Sequence, residues 1–78
     1  MPDLDTRLTR CFRAVFPALT DEAIPRAQRD GVAAWDSLAS VMLVRVIEEE
    51  FGVTIDFLDL EDLQGFQAMR QYLLAHAA

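Results

Sequence analysis

Leu4, Leu8, Cys11, Phe12, Val15 and Phe16 follow one another at intervals of four, three, one, three and one, the repeat of a helix with one apolar stripe. Pro17 ends the stripe, because proline cannot supply the amide that the next turn needs. From 17 to 35 the periodicity is lost, and Pro17, Pro25 and Asp30-Gly31 predict a long loop with one turn at Asp21-Glu22-Ala23-Ile24. Ile24, Val32 and Trp35 are the residues that would tether this loop to a core. A second helical pattern fills 37–51, with Asp36 as N-cap and Gly52 as stop. Val53-Thr54-Ile55 reads as an extended connector and Asp59-Leu60-Glu61-Asp62-Leu63 as a short helix with acids in its first turn. Phe66, Met69, Tyr72 and Leu73 give the last amphipathic helix. The pattern predicts an all-α fold, a small bundle of three main helices plus one short helix, with residues 1–78 as a single domain.

The second helix departs from a one-stripe pattern. At 100° per residue, Leu43, Val44, Ile47 and Phe51 share one arc, the expected core face. Leu38, Val41 and Met42 fall on nearly the opposite side, interleaved with Arg45, Glu48 and Glu49. A helix of a domain this small seldom buries both sides, so the second arc reads as a partner-binding patch with an apolar centre and a charged rim.

Composition narrows the function classes. Apolar residues make up 53% of the 78 and charged residues 26%, values of a folded globular chain. That length leaves little room for a substrate cleft. The net charge of −6 disfavours nucleic acid or an anionic membrane as partner and favours basic protein surfaces. It is unevenly placed: residues 1–36 hold five Arg and six acids (−1), residues 37–78 two Arg and seven acids (−5). Arg7, Arg10 and Arg13 share the outer side of the first helix and read as a solvated face. The single cysteine, Cys11, excludes an intrachain disulfide, and its place on an apolar stripe makes it a buried thiol. With no leader pattern and no apolar run of membrane-spanning length, the expected location is the cytoplasm.

Little in the chain suggests catalysis. The acids from Asp56 to Asp62 fail the calcium-loop pattern, since Leu58 and Leu60 stand at alternating ligand positions and Glu61 where the glycine belongs. His76 has no second His or neighbouring Cys with which to hold a metal. Without a base, a nucleophile pair or a metal set, an enzyme is not expected. Ser37 is different. Its hydroxyl stands at a helix start, beside unpaired N–H groups and the positive end of the helix dipole, where a phosphate ester would be favoured.

Asp36-Ser37-Leu38, the helix through Glu48-Glu49-Glu50-Phe51-Gly52, and Ile55, Leu63 and Tyr72 together resemble an acyl carrier protein, over about residues 35–73. The resemblance implies that Ser37 is esterified by a 4′-phosphopantetheine arm, transferred from coenzyme A by a separate magnesium-dependent phosphopantetheinyl transferase. Asp36 would help hold the magnesium and Leu38 would contact the transferase. The arm's thiol would carry acyl or aminoacyl groups as thioesters between loading and downstream biosynthetic enzymes, the carrier itself being a monomer without catalysis of its own. Fatty-acid carriers that this chain resembles have acids where it has Ala39 and Met42, and an acidic face where it has Arg45. Together with Trp35 before the motif, these differences resemble stand-alone carriers of specialised polyketide, nonribosomal peptide or polysaccharide pathways. The other reading is an unmodified helical adaptor that uses the Leu38, Val41 and Met42 patch.

Overall fold

Asp3 begins the first helix by accepting a hydrogen bond from the Thr6 N–H at 2.8 Å, so that α1 runs Leu4–Val15 in a computed structural model that describes residues 3–76, the Phe57 side chain excepted. The same bond holds the Asp3 carboxyl below its usual pKa. The chain leaves α1 at Phe16, immediately before the proline. Helix α2 spans Ser37–Phe51, and α3 spans Phe66–His76. Both boundaries of α2 follow the sequence: Asp36 accepts from the Ala39 N–H at 2.9 Å, and Gly52 closes the helix at φ 66°, a left-handed conformation that costs glycine little. The expectation of a small all-α bundle is met.

The loop between α1 and α2 is more ordered than its composition suggests. It holds two short 3₁₀ turns, Ile24–Arg26 and Arg29–Gly31, where one turn was expected. An antiparallel bridge joins Gln28 to Gly65, with the Arg29 N–H donating to the Gln64 carbonyl (2.9 Å) and the Phe66 N–H to that of Ala27 (3.0 Å). Single backbone contacts between distant segments leave no periodic trace in a sequence. A Cβ at position 65 would lie 3.3 Å from the Ala27 carbonyl oxygen, which explains the glycine there. The short helix after the connector is a 3₁₀ segment, Phe57–Asp62, and starts earlier than predicted because Asp56 caps it at the Leu58 N–H (2.9 Å).

Leu8, Phe12, Ile24, Leu43, Ile47 and Leu73 form the fully buried centre. Phe12 stands between Trp35, edge-on at 5.5 Å, and Phe66 at 5.2 Å, and Trp35 also meets Phe16 at 5.3 Å. Ile24 and Trp35 are therefore tethers as expected, with Val32 half-buried; Ala27, buried, is a fourth anchor that the sequence did not reveal. Phe51 is a correction. Assigned to the core arc, it is only half-buried at the end of α2, where the Arg7 guanidinium covers its ring 4.5 Å from the centroid. Phe51 packs against the edge of the core at that last turn, with a cation of α1 over its ring. Arg7 also pairs with Glu50 at 2.8 Å, and Arg13 with Asp21, so two of the three arginines read as a solvated face bind neighbouring elements.

Candidate functional site

Burial of Trp35 fixes where α2 begins. Its indole N–H donates to the Ser40 hydroxyl at 2.8 Å, tying the aromatic cluster to the first turn of the helix. Asp36 then caps that turn through one carboxylate oxygen, and its carbonyl accepts from the Ser40 N–H at 3.0 Å. The N–H groups of Ser37 and Leu38 have no acceptor among the described residues. Ser37 follows the cap directly and is exposed. The chain's two serines thus differ in exposure: Ser40 is half-buried with its oxygen engaged by the Trp35 indole, whereas Ser37 is exposed.

Arg29, which sequence reasoning passed over, reaches Ser37 from the loop. A guanidinium nitrogen lies 3.3 Å from the serine oxygen. The eight-residue separation crosses an irregular segment, so no spacing rule could have paired them. Both residues line a depression of about 200 Å³ with Ser40, Val41, Leu60 and Glu61.

The outer face of α2 is as the two-arc pattern predicted. Leu38, Met42 and Val41 are 68%, 49% and 47% exposed, while Leu43 and Ile47 on the inner face are fully buried. Arg45 and Glu49 are exposed beside the outer residues. Glu48 is committed elsewhere: its carboxylate accepts from the Ile55 N–H at 2.8 Å and holds the connector to α2. Val41, Val44, Ile55 and Leu60, with the stems of Arg45 and Glu48, line a groove of about 240 Å³ alongside. Cys11 is buried as expected, and burial, with Glu50 adding to it, pushes its thiol pKa up to about 11, which keeps it protonated and unreactive.

Residues 35–73, half of the chain, match the family described as phosphopantetheine attachment site. The chain belongs to that acyl-carrier family. It is accordingly a carrier protein whose cofactor is covalently bound 4′-phosphopantetheine. Carriers of this family work with phosphopantetheinyl transferases and biosynthetic enzymes, and as a class are not catalysts themselves. No curated protein and no solved structure matches the chain. The first turn of α2 offers features that favour an anion: an exposed hydroxyl touched by a guanidinium, at a helix N-terminus where the Ser37 and Leu38 N–H groups have no acceptor among the described residues. No described helix is long and apolar enough to cross a membrane.

Proposed function

We propose that Ser37 carries the phosphopantetheine arm, and that the chain is a stand-alone, monomeric, cytoplasmic carrier of acyl or aminoacyl thioesters for a specialised biosynthetic pathway. The difference between the two serines carries the assignment: Ser37 is exposed, whereas Ser40 is half-buried and its oxygen holds the Trp35 indole. In the loading step the Ser37 oxygen bonds to the phosphorus of coenzyme A that bears the pantetheine. The bond from that phosphorus to the bridging pyrophosphate oxygen breaks, 3′,5′-ADP leaves, and the hydroxyl proton passes to a base of the transferase. By analogy with the family, Asp36 is the residue that would help hold magnesium there, and its cap engages only one of its oxygens. Once attached, the arm supplies a thiol for thioester exchange; the protein contributes presentation and recognition.

Leu38, Val41, Met42, Arg45 and Glu49 form the surface on which partner enzymes would dock, an apolar centre with charges of both signs. Met42 and Arg45 make that surface less acidic than a fatty-acid carrier's and support the specialised role. Glu48 contributes less than its position suggests, being held by Ile55. The single domain carries no catalytic constellation in this reading.

Intact-protein mass spectrometry after incubation with coenzyme A, magnesium and a broad-specificity transferase tests the assignment. Wild type and Ser40→Ala gain one phosphopantetheinyl group; Ser37→Ala gains none while keeping its helical circular dichroism. Loading of the Ser37 variant would move the site elsewhere. A wild type that never loads would leave an unmodified adaptor using the Leu38, Val41 and Met42 patch.

A further inference from the structure

Arg29 is a cation without a carboxylate partner. The ion pairs among the described residues join Arg7 to Glu50, Arg13 to Asp21 and Arg70 to Asp5, and none includes Arg29. Its side chain instead donates to a neutral hydroxyl, that of Ser37, in a hydrogen bond that is long at 3.3 Å. An arginine that spends its charge on so weak an acceptor is well matched to an anion formed on the same oxygen. The backbone holds it there. Gln28, its neighbour, bridges to Gly65, and the Arg29 N–H donates to the Gln64 carbonyl at 2.9 Å, so the root of the side chain is fixed to the start of α3.

We propose that Arg29 is the positioning residue for the phosphate of the arm: it pairs with the phosphodiester on Ser37 and steers the first bonds of the arm. Attachment also tightens the contact between the loop and the start of α2. The proposal rests on Ser37 as the attachment residue. Esterification places two non-bridging oxygens two bonds beyond the serine oxygen, within reach of a guanidinium already touching that oxygen, and its planar fork can engage both. Glu61, which lines the same depression, repels a phosphodiester, so Arg29 is the lining residue whose charge attracts it. Since the root of the cation is anchored through residues 28–29 and 64–66, replacing its weak acceptor by an anion ties α2 more firmly to a loop already fixed to the start of α3. An incoming charge at the surface is thereby felt in the packing of the bundle.

The test compares unloaded and loaded forms of wild type, Arg29→Gln and Arg29→Lys, by thermal melting and by the ³¹P resonance of the phosphodiester. Loading raises the melting temperature of wild type by about 2–4 °C, the size expected for one partly exposed charge-assisted pair in a domain this small. Arg29→Gln loses most of that rise, and Arg29→Lys keeps about half, having charge but no fork. The ³¹P shift differs between wild type and Arg29→Gln, and the difference closes as salt screens the pair. Equal rises in all three proteins with superimposable ³¹P shifts would overturn the role of Arg29 and leave Ser37 standing. Absence of loading at Ser37 in every protein, wild type included, would overturn both. Should Arg29→Gln alone resist loading, the salt dependence of the wild-type rise decides, and a rise indifferent to salt counts against the pair.

Discussion

Leu43 and Leu38 are the same residue on the same helix, one fully buried and the other 68% exposed. Hydrophobicity cannot tell them apart. What separates them is the neighbour each arc meets: α1 and the core lie against Leu43, Val44 and Ile47, whereas Leu38, Val41 and Met42 keep about half or more of their surface exposed. Burial of the first arc supplies folding free energy, and exposure of the second costs solvation that only a partner can recover. A carrier that must bind several enzymes in turn and leave each one has use for a modest apolar face of this kind. In the proposed reading the two sides of α2 divide the work of the chain, stability inside and recognition outside.

The most direct way to break this comparison is to truncate both leucines. Leu43→Ala should cost about 2–5 kcal/mol, because it empties a fully enclosed position. Leu38→Ala should stay within about 0.5 kcal/mol of wild type. Urea melts followed by circular dichroism give both values, and similar costs would abolish the distinction between the arcs. Phe51→Ala sharpens it at the boundary. The half-buried ring should cost about 1–2 kcal/mol, less than the roughly 3–5 of an enclosed phenylalanine, with part of the loss coming from the Arg7 contact. A loss in the upper range would return Phe51 to the core.

At the helix start the two roles meet in one residue. Asp36→Ala should destabilise the fold by about 1 kcal/mol through loss of the cap to Ala39, and slow loading as well. Asp36→Asn separates the effects, since asparagine caps as well as aspartate but brings no charge for magnesium. Near-wild-type stability with slowed loading is the expected result; unchanged loading kinetics would remove Asp36 from the transfer step.

Much of this was legible in the sequence where local chemistry decides structure. The limits of α2 follow from Asp36 and Gly52, and its two arcs from 3.6-residue periodicity, so the exposed patch and Ser37 could be placed by counting. The arm itself is a different matter: Asp-Ser-Leu is too short to imply it, and family resemblance supplied it. Counting failed where contacts are non-local. The Gln28 to Gly65 bridge, the second 3₁₀ turn and the approach of Arg29 to Ser37 depend on how the loop is laid across the bundle. Glu48 shows the same limit on a regular helix. Its position predicts a rim charge, yet the connector that follows α2 turns back and claims the carboxylate through Ile55.

The smallest expected effect lies wholly on the outer arc and bears on which enzymes it recognises. Met42→Glu combined with Arg45→Ala makes the face two charges more negative while altering only exposed side chains, so stability should change by no more than about 0.5 kcal/mol. Fatty-acid enzymes that dock carriers through basic surfaces should accept the variant better. Two exposed charges at about 0.2–1 kcal/mol each correspond to roughly a twofold to thirtyfold gain in the presence of a complementary surface. The measurement is malonyl transfer by a fatty-acid pathway transferase to loaded wild type and loaded variant, at low and at moderate salt. A gain confined to low salt identifies it as electrostatic steering. Transfer to the enzymes of the native pathway should weaken in parallel, because Arg45 would no longer meet an acid on their surfaces. Wild type that already turns over efficiently, with no gain in the variant, would show that Met42 and Arg45 do not select the pathway, and the chain would then serve fatty-acid synthesis with an outer face tuned for something other than charge.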